Sequence, residues 1–195
     1  MGKGQESDGR ARNWGFFVYP DSAPENWYSL LEEMQVSGCV SPLHDKDVNA
    51  DGTLKKAHYH VLLQFDGKKS YEQITEITEA LNAPIPQRCR SIKGSVRYFT
   101  HMDNPEKAQY TRDGIRVFGG FDIEDSFKAT QTERFEILLE IHEFLINNEV
   151  SEYRVLYDYA AKKQRERWYP VVVNNTFVLK TYINSFRHSR GEKSE

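Results

Sequence analysis

The clearest chemistry in the sequence lies in a strand-like run with two histidines, His58-Tyr-His-Val-Leu-Leu-Gln-Phe65. Successive side chains of a strand point to opposite faces, so His58 and His60 share one face, while Tyr59 begins the other, core-facing side. Each imidazole carries a donor and an acceptor that need partners once the ring is buried. Packing alone does not explain two such rings, whereas one metal ion would bind both. The pattern therefore predicts a metal site on this strand.

Two more potential ligands, His44 and Asp47, follow the preceding strand-like run at residues 38–43. A turn at Asn49-Ala-Asp-Gly52 folds that run back toward the histidines. Imidazole and carboxylate ligands without thiolate suit Mn²⁺ or Mg²⁺, and zinc accepts the same set. Asp45 is an alternative to Asp47, because spacing does not distinguish them. One histidine here would more often be a core residue with a hydrogen-bond partner, but three together favour a metal.

A short helix after this hairpin presents a tyrosine. Its apolar positions Ile92, Val96 and Phe99 recur at helical spacing. The opposite, open face is expected to carry Lys93, Arg97, Tyr98 and His101. A phenol is a competent nucleophile toward phosphorus when a cation polarises the phosphate, and the phosphotyrosine bond keeps its energy for later rejoining. The alternative role for Tyr98 is that of a helix tyrosine at the core edge.

The net charge of −3 conceals a basic segment at residues 86–116, with seven basic and three acidic residues. A polyanion responds to local potential, so the segment predicts contacts with DNA phosphates, and its closeness to Tyr98 favours this over a merely solvated surface. The candidate DNA-binding residues are Arg88, Arg90, Lys93, Arg97, His101 and Tyr110. His101 could instead orient the phenol or face solvent. Tyr110 could be a second nucleophile, a base-stacking ring or simply a turn tyrosine packed on the sheet.

Motifs of several other protein classes are absent. The sequence has no Gly-x-x-x-x-Gly-Lys-Ser/Thr phosphate loop, no Gly-x-Gly-x-x-Gly, no Gly-x-Ser-x-Gly and no Cys-x-x-Cys. A motor ATPase is therefore not expected, and no apolar run approaches the roughly 18 residues of a membrane span. Cys39 and Cys89 are the only cysteines, which is typical of a reduced protein. We expect a cytoplasmic protein whose polar first residues form a flexible tail without a signal peptide.

Periodicity predicts mixed strands and helices, followed by helices alone. Strands are expected near residues 14–19, 38–43, 58–65, 87–91 and 115–118, and helices over 25–35, over 70–82 and from 92 to the break at Asn104-Pro105. Ser70 and Gln73 have the spacing of a capping box. Composition turns acidic and strand signals stop after residue 121. The predicted divisions are a tail at 1–12, an α+β domain at 13–121, a linker at 122–130 and a helical domain at 131–195.

The first helix of the helical domain is apolar on two stripes. One contains Phe135, Leu138 and Leu139, and the other contains Ile137 and Ile141. Such a helix must bury both sides, against its own neighbours or against another subunit. The later run Pro170-Val-Val-Val173 is compatible with a strand or a helix.

Three motifs in order resemble those of a known enzyme family. His58-Tyr-His60 has the His-hydrophobic-His form of the HUH endonucleases. The segments similar to successive motifs of RepB-type rolling-circle plasmid replication initiators from Gram-positive bacteria are Ser41-Pro-Leu-His-Asp-Lys-Asp47, Lys56-Ala-His-Tyr-His-Val61 and Arg97-Tyr-Phe-Thr-His101. The resemblance implies an α+β fold, in which a five-stranded antiparallel sheet is flanked by helices and followed by a small all-α oligomerisation domain. By the same resemblance, Tyr98 matches the single nucleophile, and the metal ligands match His44, Asp47, His58 and His60.

The resemblance also implies a mechanism and partners. The protein would bind double-stranded repeats at a plasmid origin and cleave a single-stranded nick site with Mn²⁺ or Mg²⁺. Attack by Tyr98 would leave a 5′-phosphotyrosyl link and a free 3′-OH for the host polymerase, and the strands would later be rejoined. A host helicase and a homo-oligomer, with a hexamer as one form, belong to the same expectation, and a membrane does not.

Three other functions are compatible with the residues. A relaxase or a single-tyrosine transposase would use the same chemistry, although the acidic helical region favours an initiator. A non-catalytic origin-binding repressor would use the same sheet without cleavage. A structural metal domain of an assembly protein would use the histidines alone. Covalent attachment of DNA to Tyr98 distinguishes the nucleases from the last two.

Overall fold

The computed structural model describes residues 9–191, with side chains described as far as residue 189. The chain forms two compact units that divide between Phe127 and Lys128. The part of the predicted tail at residues 1–8 lies outside the described residues. Ala11 and Arg12 already belong to the first strand, because the histidine strand runs on past Phe65 and its end pairs with Ala11 across a bulge.

One antiparallel sheet of five strands organises the first unit. The strands are β1 (Ala11–Val18), β2 (Ser37–Val40), β3 (Tyr59–Lys69), β4 (Gln87–Arg88) and β5 (Arg116–Phe118). They lie in the order β4-β1-β3-β2-β5. The predicted five-stranded antiparallel sheet with flanking helices is therefore confirmed, and its central strand is β3, which carries His60 and directly follows His58.

The helices of the first unit cover both faces of this sheet. They are α1 (Trp27–Glu33), α2 (Tyr71–Ala80), α3 (Ile92–Tyr98) and α4 (Glu124–Phe127). One face buries Val61 and Leu63 of β3 against Leu31 of α1. The other face buries Leu62 of β3 against Val96 of α3 and Phe99, which follows that helix. The alternation of β3 thus follows the period of two that the sequence predicts.

Local capping fixes where two of these helices begin. Ser70 accepts a hydrogen bond from the backbone of Gln73, and the Gln73 side chain accepts one from the backbone of Ser70. The predicted capping box is therefore confirmed. Ser91 caps α3 by accepting from the backbone of Gly94. This cap sets the register that brings Tyr98 to the last position of α3.

In its described part, the second unit has helices as its regular secondary structure, joined by short turns. Its helices are α5 (Gln131–Asn147), α6 (Tyr153–Lys163), α7 (Tyr169–Asn174) and α8 (Thr176–Gly191). Their core contains Ile141, Leu156 and Ile183. The run at residues 170–173, for which periodicity does not decide, is helical within α7.

The apolar residues of α5 are only partly covered by the rest of the second unit. Ile137, Ile141 and Leu145 are buried, whereas Phe135 and Leu139 remain exposed at 57% and 65%. In α8, Phe177 is 82% exposed. The second unit therefore carries apolar surface that its own core does not use.

No helix in the described part of the chain is both long enough and apolar enough to cross a membrane.

Candidate active site

The three histidines of the predicted metal site meet where β3 begins. The backbone N–H of His44 donates to the His58 carbonyl at 2.9 Å, and the N–H of His58 donates to the His44 carbonyl at 3.2 Å. This bridge places the two residues opposite each other, and His60 follows on the same face of β3 as His58. One ligand nitrogen from each ring lies within 4.8 Å of the other two. Backbone pairing therefore brings together histidines that are 14 residues apart.

Backbone carbonyls determine which ring nitrogen of His44 and of His58 is available to bind a metal ion. His44 Nε2 donates to the Phe99 carbonyl at 2.9 Å, and His58 Nδ1 donates to the Lys56 carbonyl at 2.8 Å. In a neutral imidazole the other nitrogen then holds a lone pair. A carbonyl behind the ring is also the usual support of a metal-binding histidine, since it fixes the tautomer and the ring orientation. Each of the two residues thus keeps one ring nitrogen for a ligand.

Asp47 points its carboxylate at His44. Its Oδ2 lies 3.3 Å from His44 Nδ1, and only 7% of the residue is exposed, whereas Asp45 is exposed. Burial lowers the pKa of His44 and outweighs the opposing effects of Phe99 and Asp47. The Nδ1 atom of His44 and the carboxylate of Asp47 are close enough to bind one cation, and the burial of Asp47 beside His44 favours it over Asp45 as the acidic ligand.

The ionisation of Asp47 agrees with this arrangement. Burial opposes its charge, but the hydrogen bond from Tyr110 and the attraction of His44 and His101 hold the pKa of the carboxyl below its usual value. The side chain is therefore a carboxylate at neutral pH and an acceptor of cations.

His60 supplies an orphaned polar atom. Its Nε2 is buried and has no hydrogen-bond partner. Burial, and repulsion from His44 and His58, lower the pKa of His60 to about 2, so the ring is neutral at physiological pH. A buried nitrogen without a partner costs about 1–3 kcal/mol. A divalent cation would satisfy it, and the three clustered imidazoles fit such an ion, whereas Asp47 groups with His44 and not with His58 or His60.

Tyr98 lies beside these side chains at the end of α3. Its ring centroid is 5.4 Å from that of His60 and 4.9 Å from that of His101. Lys107 Nζ donates to the phenol oxygen at 3.0 Å and lies 4.6 Å from the ring centroid. This hydrogen bond raises the pKa of Lys107. The sequence motifs do not single out Lys107, because it follows a turn nine residues after Tyr98.

The predicted open face of α3 is wrong for two residues. Arg97 is only 4% exposed and pairs with Asp103, and His101 is 0% exposed. The helical wheel assumes that the helix continues to Asn104, but α3 ends at Tyr98. His101 adopts a φ of 56°, a left-handed conformation that turns the chain back toward the core. Neither side chain is on the surface where DNA contacts are predicted.

His101 instead extends the polar cluster under Tyr98. Its Nδ1 donates to the Ala108 carbonyl at 2.7 Å, and its buried Nε2 has no partner. Together with His44 and Asp47 it forms a second group whose ligand atoms lie within 4.8 Å of one another. The motif at residues 97–101 includes His101, but the helical pattern predicts that this side chain lies on the open face of the helix, whereas it is buried.

Tyr110 contacts the carboxylate rather than the surface. Its hydroxyl donates to Asp47 Oδ1 at 3.0 Å and accepts from the Lys46 backbone at 3.0 Å. Its ring stacks on His44 with centroids 4.2 Å apart and planes 9° from parallel. Burial raises the pKa of Tyr110 to about 12, and the bond to Asp47 adds to this effect. Tyr110 therefore holds both His44 and Asp47 in place, a role that the sequence does not reveal.

The remaining candidate DNA contacts stand near this site. Arg88 and Arg90 are exposed in and just after β4, and Lys93 is half-buried in the first turn of α3. Their contact with DNA remains a prediction. Arg90 lines a cavity that Tyr98 also lines, whereas Arg88 pairs with Trp14 on the face of the sheet opposite Gly15 and Gln87.

Both units match described families of replication proteins. Residues 6–124 match the family described as "Plasmid replication protein, origin binding domain". Residues 131–188 match the family described as "Replication protein RepB, C-terminal". The matched segments contain the whole candidate site and most of the helical unit.

Individual relatives agree with these matches. The chain is 43% identical to a replication protein of Staphylococcus aureus over 94% of this chain and 92% of the relative. It is 45% identical to a replication protein RepB of Lactiplantibacillus plantarum over 90% of this chain and 81% of that protein. A replication protein RepB of Streptococcus agalactiae is 28% identical over 66% of each chain.

Proposed function

We propose that this chain, which belongs to the RepB family of plasmid replication initiators, nicks one strand of its plasmid origin by attack of Tyr98 on a DNA phosphodiester. The observation that carries the proposal is the position of Tyr98. Its ring packs on His60, whose buried nitrogen has no partner, and its oxygen is held by a lysine. An origin-binding domain without catalysis would not need this combination.

The candidate cation ligands are His44, Asp47, His58 and His60. When bound there, Mn²⁺ or Mg²⁺ supplies positive charge that polarises a phosphate oxygen. The carbonyls of Phe99 and Lys56 orient two of the rings, and Tyr110 orients the carboxylate. These contacts keep the ligands in place before DNA arrives, which limits the reorganisation needed during the reaction.

The transfer step exchanges one phosphoester bond for another. The Tyr98 oxygen forms a bond to phosphorus while the bond from phosphorus to the 3′-oxygen breaks. The phenol proton passes to water, and the 3′-oxygen takes up a proton to become a free 3′-OH. The 5′ end stays on Tyr98, so the bond energy is retained for rejoining, and the 3′-OH is a primer for a host polymerase.

The test uses the full chain, Mn²⁺ and a supercoiled plasmid that carries the cognate origin. We expect relaxation of the plasmid and a protein-linked 5′ end, with mass spectrometry locating the nucleotide adduct on Tyr98. Intact DNA, under verified origin binding and Mn²⁺ occupancy, would reject cleavage. That result would favour the second candidate, a repressor that binds the origin without cutting it. The family membership favours an initiator over a relaxase or a transposase.

Lys107 is expected to assist Tyr98 directly. Its ammonium group donates a charge-assisted hydrogen bond to the attacking oxygen, which orients the phenol and stabilises the charge that develops there. Lys107→Met should slow nicking by about 10- to 100-fold, and Lys107→Arg should restore part of the rate. Single-turnover cleavage measures the rate, and calorimetry should show unchanged Mn²⁺ affinity. Equal rates for Lys107→Met and the wild type would remove Lys107 from the reaction.

We also propose that the second unit assembles copies of this chain through its exposed apolar residues. Phe177 is 82% exposed and Leu139 is 65% exposed, and burying such side chains between subunits is favourable. Phe177→Asp should lower the mass measured by sedimentation without changing the helix content measured by circular dichroism. Leu54→Asp changes an equally apolar residue, 68% exposed in the first unit, and should leave the mass unchanged. A Phe177→Asp protein with the wild-type mass would place the interface elsewhere.

A further inference from the structure

A cavity adjoins Tyr98 on the face of the sheet that carries α3. It has a volume of about 400 Å³ and lies between strands β1 and β4 on one side and α3 on the other. His60 and Tyr98 are among the residues that line it. These two residues, with Phe17, also line a smaller cavity of about 280 Å³ that contains Asp47 and His58. The two cavities therefore meet at the candidate nucleophile.

The larger cavity has space because Gly15 has no side chain. A Cβ atom at this position would lie 3.5 Å from the Val61 carbonyl oxygen and within 4 Å of no other neighbouring group. Gly15 pairs with Leu62 of β3 on one side and with Gln87 of β4 on the other, and directly paired residues share a face of the sheet. The floor of the cavity is therefore bare backbone where a side chain would ordinarily stand.

The lining combines apolar walls with a polar edge. Phe17 is a half-buried ring whose edge meets His60 at a centroid distance of 4.8 Å, and Ile85 is 69% exposed. Gln87 is exposed and offers an amide donor and acceptor on the Gly15 face. Arg90 is exposed along the same rim, whereas Arg88 pairs with Trp14 and therefore belongs to the opposite face of the sheet. A flat ring with polar edges fits the interior, and the guanidinium group of Arg90 suits a phosphate attached to it.

We propose that this cavity holds the base of a nucleotide next to the phosphodiester that Tyr98 attacks, and we call it the base pocket. The inference rests on the proposed function, because a phosphate at Tyr98 is what places a neighbouring nucleotide at the mouth of the base pocket. Enzymes that act on single-stranded DNA commonly hold bases between apolar side chains and read their edges by hydrogen bonds. Phe17 and Ile85 supply the first kind of contact, and Gln87 supplies the second.

Gly15→Val tests the base pocket by filling it. Valine suits a strand, and its Cβ meets no clash, so the sheet should form normally. Gly67→Val is the matched control, because Gly67 lies in β3 with open space around its missing Cβ and does not line the base pocket. Both changes are made in full-length Tyr98→Phe protein, which is expected to bind DNA without cleaving it. Gln87→Ala is a second variant that removes only the edge contact.

The probe is a fluorescent single-stranded oligonucleotide from the nicked strand of the origin, in versions with one abasic nucleotide at successive positions. Fluorescence anisotropy gives each Kd. Gly15→Val should weaken binding of the intact strand about tenfold, since stacking of one base is worth about 1–3 kcal/mol. One abasic position should weaken binding to the parent protein by a similar factor. On that strand Gly15→Val and Gln87→Ala should have no further effect, and Gly67→Val should change no Kd.

The base-pocket proposal would be overturned if Gly15→Val weakened binding equally on every abasic strand. It would also be overturned if Gly15→Val weakened binding on no strand. A different occupant, such as a peptide, would give the second result. The covalent adduct on Tyr98 tests the proposed function separately. If the adduct forms without coupling between Gly15 and one base, only the base pocket is rejected. If coupling appears without an adduct, the base pocket stands and cleavage is rejected.

Discussion

Tyr98→Phe is expected to abolish covalent attachment of the protein to DNA while leaving origin binding intact. The change removes only the phenol oxygen, and the ring contacts with His60 and His101 remain. Because no other group takes the place of a lost nucleophile, the nicking rate should fall by about 1,000-fold or more. Gel electrophoresis of a plasmid with the cognate origin measures nicking, and a mobility shift measures binding.

Tyr110→Phe is the matched control, since Tyr110 is the other tyrosine of the site. Its hydroxyl contacts Asp47 rather than open space, so this variant should still form the adduct while binding Mn²⁺ more weakly. The weakening should be about 10-fold, as is common when a group that orients a ligand is removed. If the adduct survives Tyr98→Phe but disappears in Tyr110→Phe at saturating Mn²⁺, Tyr110 is the nucleophile and Tyr98 is not.

Much of the site could be predicted because its residues obey local periodicity. His58 and His60 lie on one face of β3 because side chains alternate, and the turn after Asp47 brings His44 back to them. Ser70 and Gln73 predict the start of α2 by a rule that spans one helical turn. Such patterns need only neighbours in sequence, and the structure reproduces them.

The errors lie where the outcome depends on distant contacts. Tyr110 bonds to Asp47 across 63 residues, and no spacing rule connects a turn tyrosine with that carboxylate. His101 is buried because the chain leaves the helix after Tyr98 with a left-handed residue, and a helical wheel has no means to foresee this. Arg97 is buried because Asp103 pairs with it after the same turn. The errors for Arg97 and His101 both follow from extending one helix too far.

His60→Ala is expected to remove cation-dependent stabilisation without unfolding the protein. The buried Nε2 has no partner, so the metal-free chain loses little when the ring is removed. A ligand that binds only the folded state stabilises it by about 2.7 kcal/mol at 100 times its Kd. Mn²⁺ should therefore raise the melting temperature of the wild type and have little effect on His60→Ala. Calorimetry should show a Kd weaker by about 100-fold.

His142→Ala is the control for this measurement, because His142 packs on Tyr182 within the second unit and should keep the full response to Mn²⁺. The comparison with His101→Ala then decides between two overlapping groups of ligands. His44 belongs to both, while His60 belongs to one and His101 to the other. A cation held by the histidines of β3 makes His60→Ala the more damaging change. If His101→Ala abolishes the Mn²⁺ response and His60→Ala preserves it, the cation binds beside Asp47 and His101 instead, and the assignment of the β3 histidines is wrong.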